Sequence, residues 1–230
     1  MPVTVVVSEI RRYPVKSMAG ESLASAPVDS RGLVGDRWFA VVDEDARLAS
    51  GKNSRRFRRR DAIFDYTSRT TGGGVRVSGP AGEWLVGDPD LDRALTTIMG
   101  DHVRVLAEDG TPHHDDREVS LIGTASLDWC REHLDVDADR RRIRPNLVVE
   151  TAEPFIEETW SGGLTIGSVR LAVVQRIERC RMIDIAQEGL PLQGGWLKAL
   201  GETRDANLGI YLEVAEPGTL HVGDEVLLTG

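Results

Sequence analysis

Short apolar runs bounded by turn residues fill the first hundred positions of the chain. A β-branched run, VTVVVSEIRRYPV, ends at Tyr13-Pro14, and a second apolar stretch covers positions 38 to 42. Two more strands are expected over positions 62 to 67 and 74 to 77, where β-branched and aromatic residues lie between turn residues. This pattern predicts a β-rich amino-terminal region.

Apolar residues at helical spacing occur in only a few places. They predict a short helix from Pro89 to Met99 that ends at Gly100. A second, amphipathic helix is expected in SLDWCREHL, after the strand VSLIG, with Ser126 as its N-cap. Few other segments favour a helix.

The second half of the chain again consists of short β-branched runs. They are RIRPNLVVE, LTIGSVRLAVVQRIERC, GIYLEVAE and GDEVLLTG, a pattern typical of a barrel or a strongly bent sheet. The polar stretch Glu108–Glu118 is the best candidate boundary, so we expect one domain over residues 1–110 and another over 111–230. The predicted fold class is mainly β with a few helices (α+β).

Composition narrows the class of protein. The 230 residues are 40% hydrophobic and 28% charged, and no uninterrupted apolar run approaches the ~18 residues of a membrane span. The first residues lack the features of a signal peptide, so a cytoplasmic protein with no membrane partner is expected. The net charge of −9 argues against nucleic-acid binding. The two arginine clusters, at Arg55–Arg60 and Asp139–Asn146, also lack interleaved aromatic residues beyond Phe57.

The two cysteines are too few for a disulfide framework or a four-cysteine metal site. Cys130 falls within the second predicted helix, where a packing role is expected. Cys180 follows a strand and lies between Arg179 and Arg181, and nearby cations favour the thiolate form that binds soft metals. Glu178 opposes this effect, so a functional thiol and an incidental cysteine at a strand end both stay open.

Three turns carry groups that could bind an anion. Lys16 and Ser17 follow a strand end, Arg37 follows a glycine-containing turn, and Arg144 and Asn146 flank a proline before a strand. Each also has an ordinary interpretation as an exposed turn or a surface charge. The adjacent residues His113-His114-Asp115-Asp116 could suggest metal ligands, but we expect a solvated linker there because neighbours in a loop seldom converge on one ion.

Taken in order, several motifs resemble the MOSC family, which is named for the carboxy-terminal domain of molybdenum cofactor sulfurases. These motifs are YPVKS, RGLVGDRWFAVVDEDARLAS, VSLIGTASLDW, RIRPNLVVE with EPFIEETW, LTIGSVRLAVVQRIERC and PGTLHVGDEV. The resemblance spans nearly the whole chain and implies a MOSC-type β-barrel core preceded by a β-rich amino-terminal domain. In layout the chain is similar to bacterial relatives of the mitochondrial amidoxime-reducing component.

The resemblance also implies roles for particular residues. Lys16, Ser17 and Arg37 would approach the phosphate of a molybdenum cofactor (molybdopterin). The positions that would lie around its pterin are Thr124, Ser126, Arg144 and Asn146. Cys180 would be the metal ligand and thereby the catalytic residue.

The implied activity is an oxidoreductase that reduces N-hydroxylated small molecules such as amidoximes, hydroxylamines and N-hydroxylated bases. A separate electron donor of the ferredoxin, flavin reductase or cytochrome type is expected, because the chain has neither a flavin fingerprint nor cysteines for an iron–sulfur cluster. One departure stands out: the family follows its metal cysteine with a threonine-rich turn ending in Val-Asp-Pro, whereas this chain has RMIDIAQ. The alternatives are a non-catalytic carrier of the cofactor or its sulfur, and a β-rich binding module without metal.

Overall fold

The computed structural model describes residues 4–229 and consists mostly of strands. The strands of the first half are β1 (Val6–Arg12), β2 (Glu21–Leu23), β3 (Ser25–Asp29), β4 (Gly32–Leu33), β5 (Phe39–Asp43), β6 (Leu48–Ser50), β7 (Phe57–Arg59), β8 (Thr67–Thr71), β9 (Gly74–Gly79), β10 (Gly82–Leu85) and β11 (Val103–Ala107). Those of the second half are β12 (Val119–Gly123), β13 (Leu147–Glu150), β14 (Gly163–Ile166), β15 (Val169–Glu178), β16 (Asn207–Glu216), β17 (Gly218–His221) and β18 (Val226–Thr229).

Four helices accompany the strands. They are α1 (Pro89–Met99), α2 (Thr124–Leu134), α3 (Arg140–Ile143) and α4 (Trp196–Arg204), with 3-10 turns at Asp61–Asp65, Ile156–Thr159 and Arg181–Ile183. None of the helices within residues 4–229 is long and apolar enough to span a bilayer. The predicted fold class, mainly β with a few helices, is confirmed.

The largest sheet curls on itself. Its strand order is β18-β14-β15-β16-β12-β13-β1-β2, and a bridge between Val6 and Glu225 brings β1 back to the start of β18. Backbone hydrogen bonds from Val226 to Val5 (2.9 Å) and from Val7 to Asp224 (2.9 Å) support this closure. Alternate residues of these strands fill the interior, which is the largest apolar cluster of the molecule.

The remaining strands form smaller sheets. A three-stranded sheet (β10-β9-β8) and a four-stranded sheet (β11-β5-β6-β7) enclose a second apolar core with helix α1, while β17, β3 and β4 form a third sheet. Strands β1 and β2 come from the first half of the chain but lie in the barrel sheet. The division at residues 110 and 111 stays a prediction.

Helix α1 has the predicted bounds because both of its ends carry strong signals. The Asp88 side chain accepts a hydrogen bond from the backbone of Asp90 (2.8 Å), Pro89 occupies the first turn, and Gly100 ends the helix in a left-handed conformation. Leu91 and Leu95 are fully buried in the amino-terminal core. This helix therefore anchors the amino-terminal sheets through their shared core.

Two predicted elements differ in the structure. Positions 61 to 65 form a 3-10 turn in which the adjacent residues Ile63 and Phe64 are both buried. Two consecutive side chains cannot enter the same core from a strand, because strand side chains alternate. Helix α2 begins at Thr124 with Gly123 as its N-cap, so the prediction of Ser126 as N-cap is wrong by one turn.

Candidate functional site

A cleft of about 880 Å³, part of it open to solvent, lies between the barrel and the amino-terminal sheets. Its lining contains seven basic side chains and two carboxylates, although the chain as a whole has a net charge of −9. The basic residues are Lys16, Arg37, Lys52, Arg117, Arg142, Arg144 and Arg179. The cleft is therefore a local region of positive charge that favours an anionic ligand.

The structure brings six of the eight predicted site residues to this cleft. They are Lys16, Ser17, Arg37, Arg144, Asn146 and Cys180. These residues come from turns up to 164 positions apart, and the cleft is where the ends of β1, β13 and β15 meet.

The other two predicted residues, Thr124 and Ser126, lie away from the cleft. Ser126 is fully buried, and its hydroxyl donates to the Glu157 carboxylate (2.7 Å) and accepts from the backbone N–H of Phe155 (2.8 Å). The Thr124 hydroxyl accepts from the backbone of Thr151 (3.2 Å). Both hydroxyls join the start of α2 to neighbouring loops, so the structure does not place them around a ligand in this cleft.

Lys16 is the most deeply placed cation of the cleft that can titrate. Its ammonium donates to the Asp115 carboxylate (3.0 Å) and lies 5.0 Å from the centre of the Phe57 ring. Burial lowers the pKa of Lys16 to about 8, although the neighbouring Asp115 opposes this shift. At neutral pH the side chain therefore remains mostly charged.

Asp115 pairs with two lysines of the cleft. The Lys52 ammonium lies 3.7 Å from the same carboxylate oxygen, and Lys52 also approaches the Phe57 ring at 4.8 Å. Burial alone would raise the pKa of Asp115, but the charges of Lys16 and Lys52 hold it well below its ordinary value. The carboxylate thus occupies the place at which an anionic group would meet both ammonium groups.

The buried ring of Tyr13 organises two of the five arginines of the cleft. The Arg144 guanidinium lies 4.4 Å from the ring centre and that of Arg37 lies 4.9 Å away, distances typical of cation–π contacts. Asp36, which is inaccessible to solvent, accepts from the Tyr13 backbone (2.7 Å) and pairs with Arg37. Tyr13 was not singled out from the sequence, although it lies in the YPVKS motif.

Three residues of the cleft have left-handed backbone conformations. Ser17 has φ 69°, Arg37 has φ 54° and Arg144 has φ 52°. Non-glycine residues adopt this region at an energetic cost, and such conformations often occur at functional sites. The backbone is fixed at Arg37 and Arg144, where their N–H groups donate to Tyr13 (2.8 Å) and Arg140 (3.0 Å).

Buried polar atoms without a partner test whether the cleft suits a polar ligand. Arg144 donates through Nη2 to the Met18 carbonyl (2.5 Å), but its buried Nη1 has no hydrogen-bond partner among the described residues. The buried Nε2 of His114, another lining residue, is also unpaired there. Since buried polar groups are normally paired, these atoms, together with the positive charge, fit an anionic ligand with hydrogen-bonding edges.

The prediction of a solvated linker at the two adjacent histidines is wrong. His113 and His114 are 6% and 5% exposed, and His114 lies on the cleft. Burial and, to a smaller extent, the charge of Arg37 lower the pKa of His114 to about 4. Its ring is therefore neutral at physiological pH. The polar composition of the segment does not reveal that its two histidines are buried while Asp109, Asp115 and Asp116 on either side of them are exposed.

Asn146 is already engaged within the protein. Its Oδ1 accepts from the Ser120 hydroxyl (3.0 Å) and from Arg37 (3.5 Å), and its Nδ2 donates to the carbonyl of Arg11 (3.3 Å). This residue joins β12, β1 and the arginine, and therefore fixes the shape of the cleft.

Cys180 is a partly exposed, unpaired thiol on the cleft wall, at the end of β15. Both neighbouring arginines are also engaged with other groups. Arg179 donates to the carbonyls of Leu208 (2.8 Å) and Ile143 (3.0 Å), and Arg181 pairs with Asp61. Residues 4–229 contain no group of three or more His, Cys, Asp or Glu residues arranged for a metal ion.

The second cysteine has the predicted packing role. Cys130 is fully buried in helix α2 and contacts the cluster that contains Trp196 and Leu200. Burial raises the pKa of its thiol to about 11, so this sulfur stays protonated and inert at neutral pH.

Comparisons with known proteins agree with this arrangement. The family model of the MOSC domain matches residues 98–227, and that of the MOSC N-terminal beta barrel domain matches residues 4–88. Among solved structures, the YUAD protein of Bacillus subtilis superposes with a TM-score of 0.55 at 13% identity, covering 97% of this chain and 94% of that protein. That likeness shows the fold alone.

Curated relatives are of two kinds. The molybdenum cofactor sulfurase of Danio rerio is 24% identical over 87% of this chain, which spans only 31% of the sulfurase. The mitochondrial amidoxime-reducing component 1 of Mus musculus is 21% identical over 97% of this chain and 82% of its own length. The mitochondrial amidoxime-reducing component 1 of Danio rerio is 24% identical over 96% of this chain and 84% of its own length.

Proposed function

The chain belongs to the MOSC family, and from this premise we propose that it binds a molybdenum cofactor and reduces N-hydroxylated compounds. The single observation that carries the proposal is the cleft itself. Separate turns bring lysine, arginine and one thiol to the same positively charged space. These are the groups that a phosphorylated, sulfur-liganded cofactor requires of its protein.

Three side chains would hold the phosphate of the cofactor. Lys16 supplies a point charge, and Arg37 supplies a guanidinium fixed between Asp36 and Tyr13. Ser17 donates its hydroxyl to the Ala49 carbonyl (2.9 Å), so it would have to turn this proton toward the phosphate in order to bind it. Because Asp115 already neutralises Lys16, an incoming phosphate would compete with that carboxylate.

Arg144, which lies over the Tyr13 ring, would hold the polar edge of the pterin. Arg144 has one unpaired buried nitrogen, and a carbonyl of the ligand would satisfy it. The neutral ring of His114 offers a second unpaired nitrogen in the same cleft.

Cys180 would be the one thiol ligand that the cleft supplies to the metal. When bound, the cofactor would supply a metal with two-electron redox chemistry. Reduction of an N-hydroxy group consumes two electrons and two protons, breaks the N–O bond and releases water. Tyr211, on the cleft wall, keeps its hydroxyl proton at neutral pH because burial raises its pKa. The electrons would come from a separate donor protein.

Activity of the loaded protein tests the proposal. The full chain, produced in a host that makes the cofactor, is supplied with a reduced viologen and an N-hydroxylated base, and the deoxygenated product is measured. We expect turnover by the wild type and a loss of at least about 100-fold in Cys180→Ala, because removing even a secondary contact to a metal ligand costs 10- to 100-fold. Cys130→Ala is the matched control and keeps the activity. No product from the loaded wild type, or full activity in Cys180→Ala, contradicts the proposal.

A second candidate is a protein that carries the cofactor or its sulfur without reducing a substrate. The segment RMIDIAQ after Cys180, which departs from the family pattern, favours it, as does the match to a sulfurase. Cofactor that stays bound without turnover under the same reduced viologen would select this candidate.

A further inference from the structure

The segment that follows Cys180 is tied to the amino-terminal wall of the cleft. Arg181 forms a two-point ion pair with Asp61, with Nη1–Oδ1 at 2.9 Å and Nη2–Oδ2 at 3.2 Å. Its Nη1 also donates to the carbonyl of Gly51. The guanidinium is thereby committed to the opposite wall and does not line the cleft.

Apolar contacts reinforce this tie at the same place. A side-chain carbon added to Gly51 would lie 2.5 Å from the Met182 sulfur and 3.1 Å from Ile185 Cδ1. Ile185 is 3% exposed and packs in the amino-terminal core with Ile63 and Phe64. The segment therefore sits closely on Gly51.

The other side of the segment is fixed to the second half of the chain. Ile183 packs with Trp196 and Cys130, and the Asp184 carboxylate accepts from the backbone N–H groups of Trp196 (2.9 Å) and Leu197 (3.2 Å). Residues 181–185 thus bridge the two walls, and Cys180 is the residue immediately before the bridge.

We propose that Arg181 and Asp61 form a positioning pair that fixes the direction in which Cys180 presents its sulfur to the cleft. A planar guanidinium bound at two points defines both distance and orientation, so it limits rotation of the backbone next to the thiol. The claim that the direction of the Cys180 sulfur matters for binding a metal rests on the proposed function. The restraint on the thiol is a property of the chain itself and can be measured without the cofactor.

Alkylation of the cofactor-free full chain tests the restraint. Iodoacetamide is the probe, and mass mapping assigns the rate to Cys180. In Arg181→Gln and in Asp61→Asn we expect the rate to rise about 3- to 10-fold, because a segment that loses an anchor opens more often. The double variant should show no further rise, since both changes remove the same pair.

Arg59→Gln is the matched control. Arg59 binds the same Asp61 carboxylate at 2.6 Å but forms no hydrogen bond or ion pair with residues 181–185, so its loss should leave the alkylation rate within about twofold. Arg181→Lys keeps one charged contact and should bring the rate back toward the wild type. Thermal melts confirm that each variant is folded.

The outcomes separate the inference from the proposed function. Unchanged alkylation in both Arg181→Gln and Asp61→Asn overturns the positioning pair, and so does an equal rise in Arg59→Gln. In cofactor-loaded protein the same two variants should lose molybdenum several-fold faster during gel filtration. A wild type that holds no molybdenum refutes the proposed function, whereas the alkylation result still decides whether the pair restrains the thiol.

Discussion

At the scale of single residues, burial decides which charges shape the cleft. Lys16 is 3% exposed, whereas Arg55 and Arg59, in the most conspicuous basic run of the sequence, are exposed. A lysine and serine in a turn are usually exposed, so the residues around Lys16 could not reveal its burial. The order of motifs along the chain identifies Lys16 as a site residue. The fold shows that its charge faces the cleft and can meet a ligand there.

The pH behaviour of Lys16 gives a direct prediction. Its pKa is about 8, below the ordinary 10.5, because burial disfavours the ammonium. Asp115 partly compensates, so Asp115→Asn should move the Lys16 midpoint below about 8. The chain has only three lysines, so carbon NMR of labelled lysine can follow each one, and Lys16→Met identifies the signal. A midpoint that stays or rises in Asp115→Asn contradicts the assigned contact.

The same shift links Lys16 to stability. A lysine with a lowered folded-state pKa opposes folding while it is charged, so its contribution to the free energy of unfolding should rise as pH increases from about 8 to 10.5. Comparing urea denaturation of the wild type and Lys16→Met across this range measures that contribution.

At the scale of elements, the sequence predicts correctly the helices and strands whose ends carry strong local signals. Helix α1 has a capping aspartate, a proline and a terminal glycine, and its bounds are as expected. The turn at 61–65 was predicted as a strand, because its apolar residues do not reveal that Ile63 and Phe64 face the same core. The start of α2 was misplaced since Ser126, a good N-cap by type, instead binds Glu157.

Ser126→Ala tests the structural role of this serine. The substitution leaves the Glu157 carboxylate and the Phe155 N–H with one fewer partner each in a buried setting. We expect the free energy of unfolding to fall by about 1–3 kcal/mol, with molybdenum content unchanged. Urea denaturation and metal analysis check the two halves of this prediction. A variant of normal stability that fails to hold molybdenum would instead place Ser126 in the ligand site.

At the scale of the whole molecule, the cleft exists because distant segments converge. Strand β1 pairs with β13 some 140 residues later, and this pairing brings Lys16 and Arg37 close to Arg144. Family resemblance identified six of the lining residues. It did not reveal Tyr13, His114 or Asp115, because their roles depend on burial and on contacts between segments that only the fold defines.

The molybdenum-to-protein ratio shows whether the cleft holds the cofactor. Full-length protein from a cofactor-competent host is purified by gel filtration and analysed for metal beside two double variants. Lys16→Met/Arg144→Met removes two cations of the cleft, and Lys198→Met/Arg170→Met removes the same residue types from exposed positions. We expect about one molybdenum per chain in the wild type and the surface variant, and at least about tenfold less in the cleft variant, since losing two charged contacts costs at least ~1.4 kcal/mol. A wild type without molybdenum, or a folded cleft variant that retains it fully, would show that the cleft does not hold the cofactor.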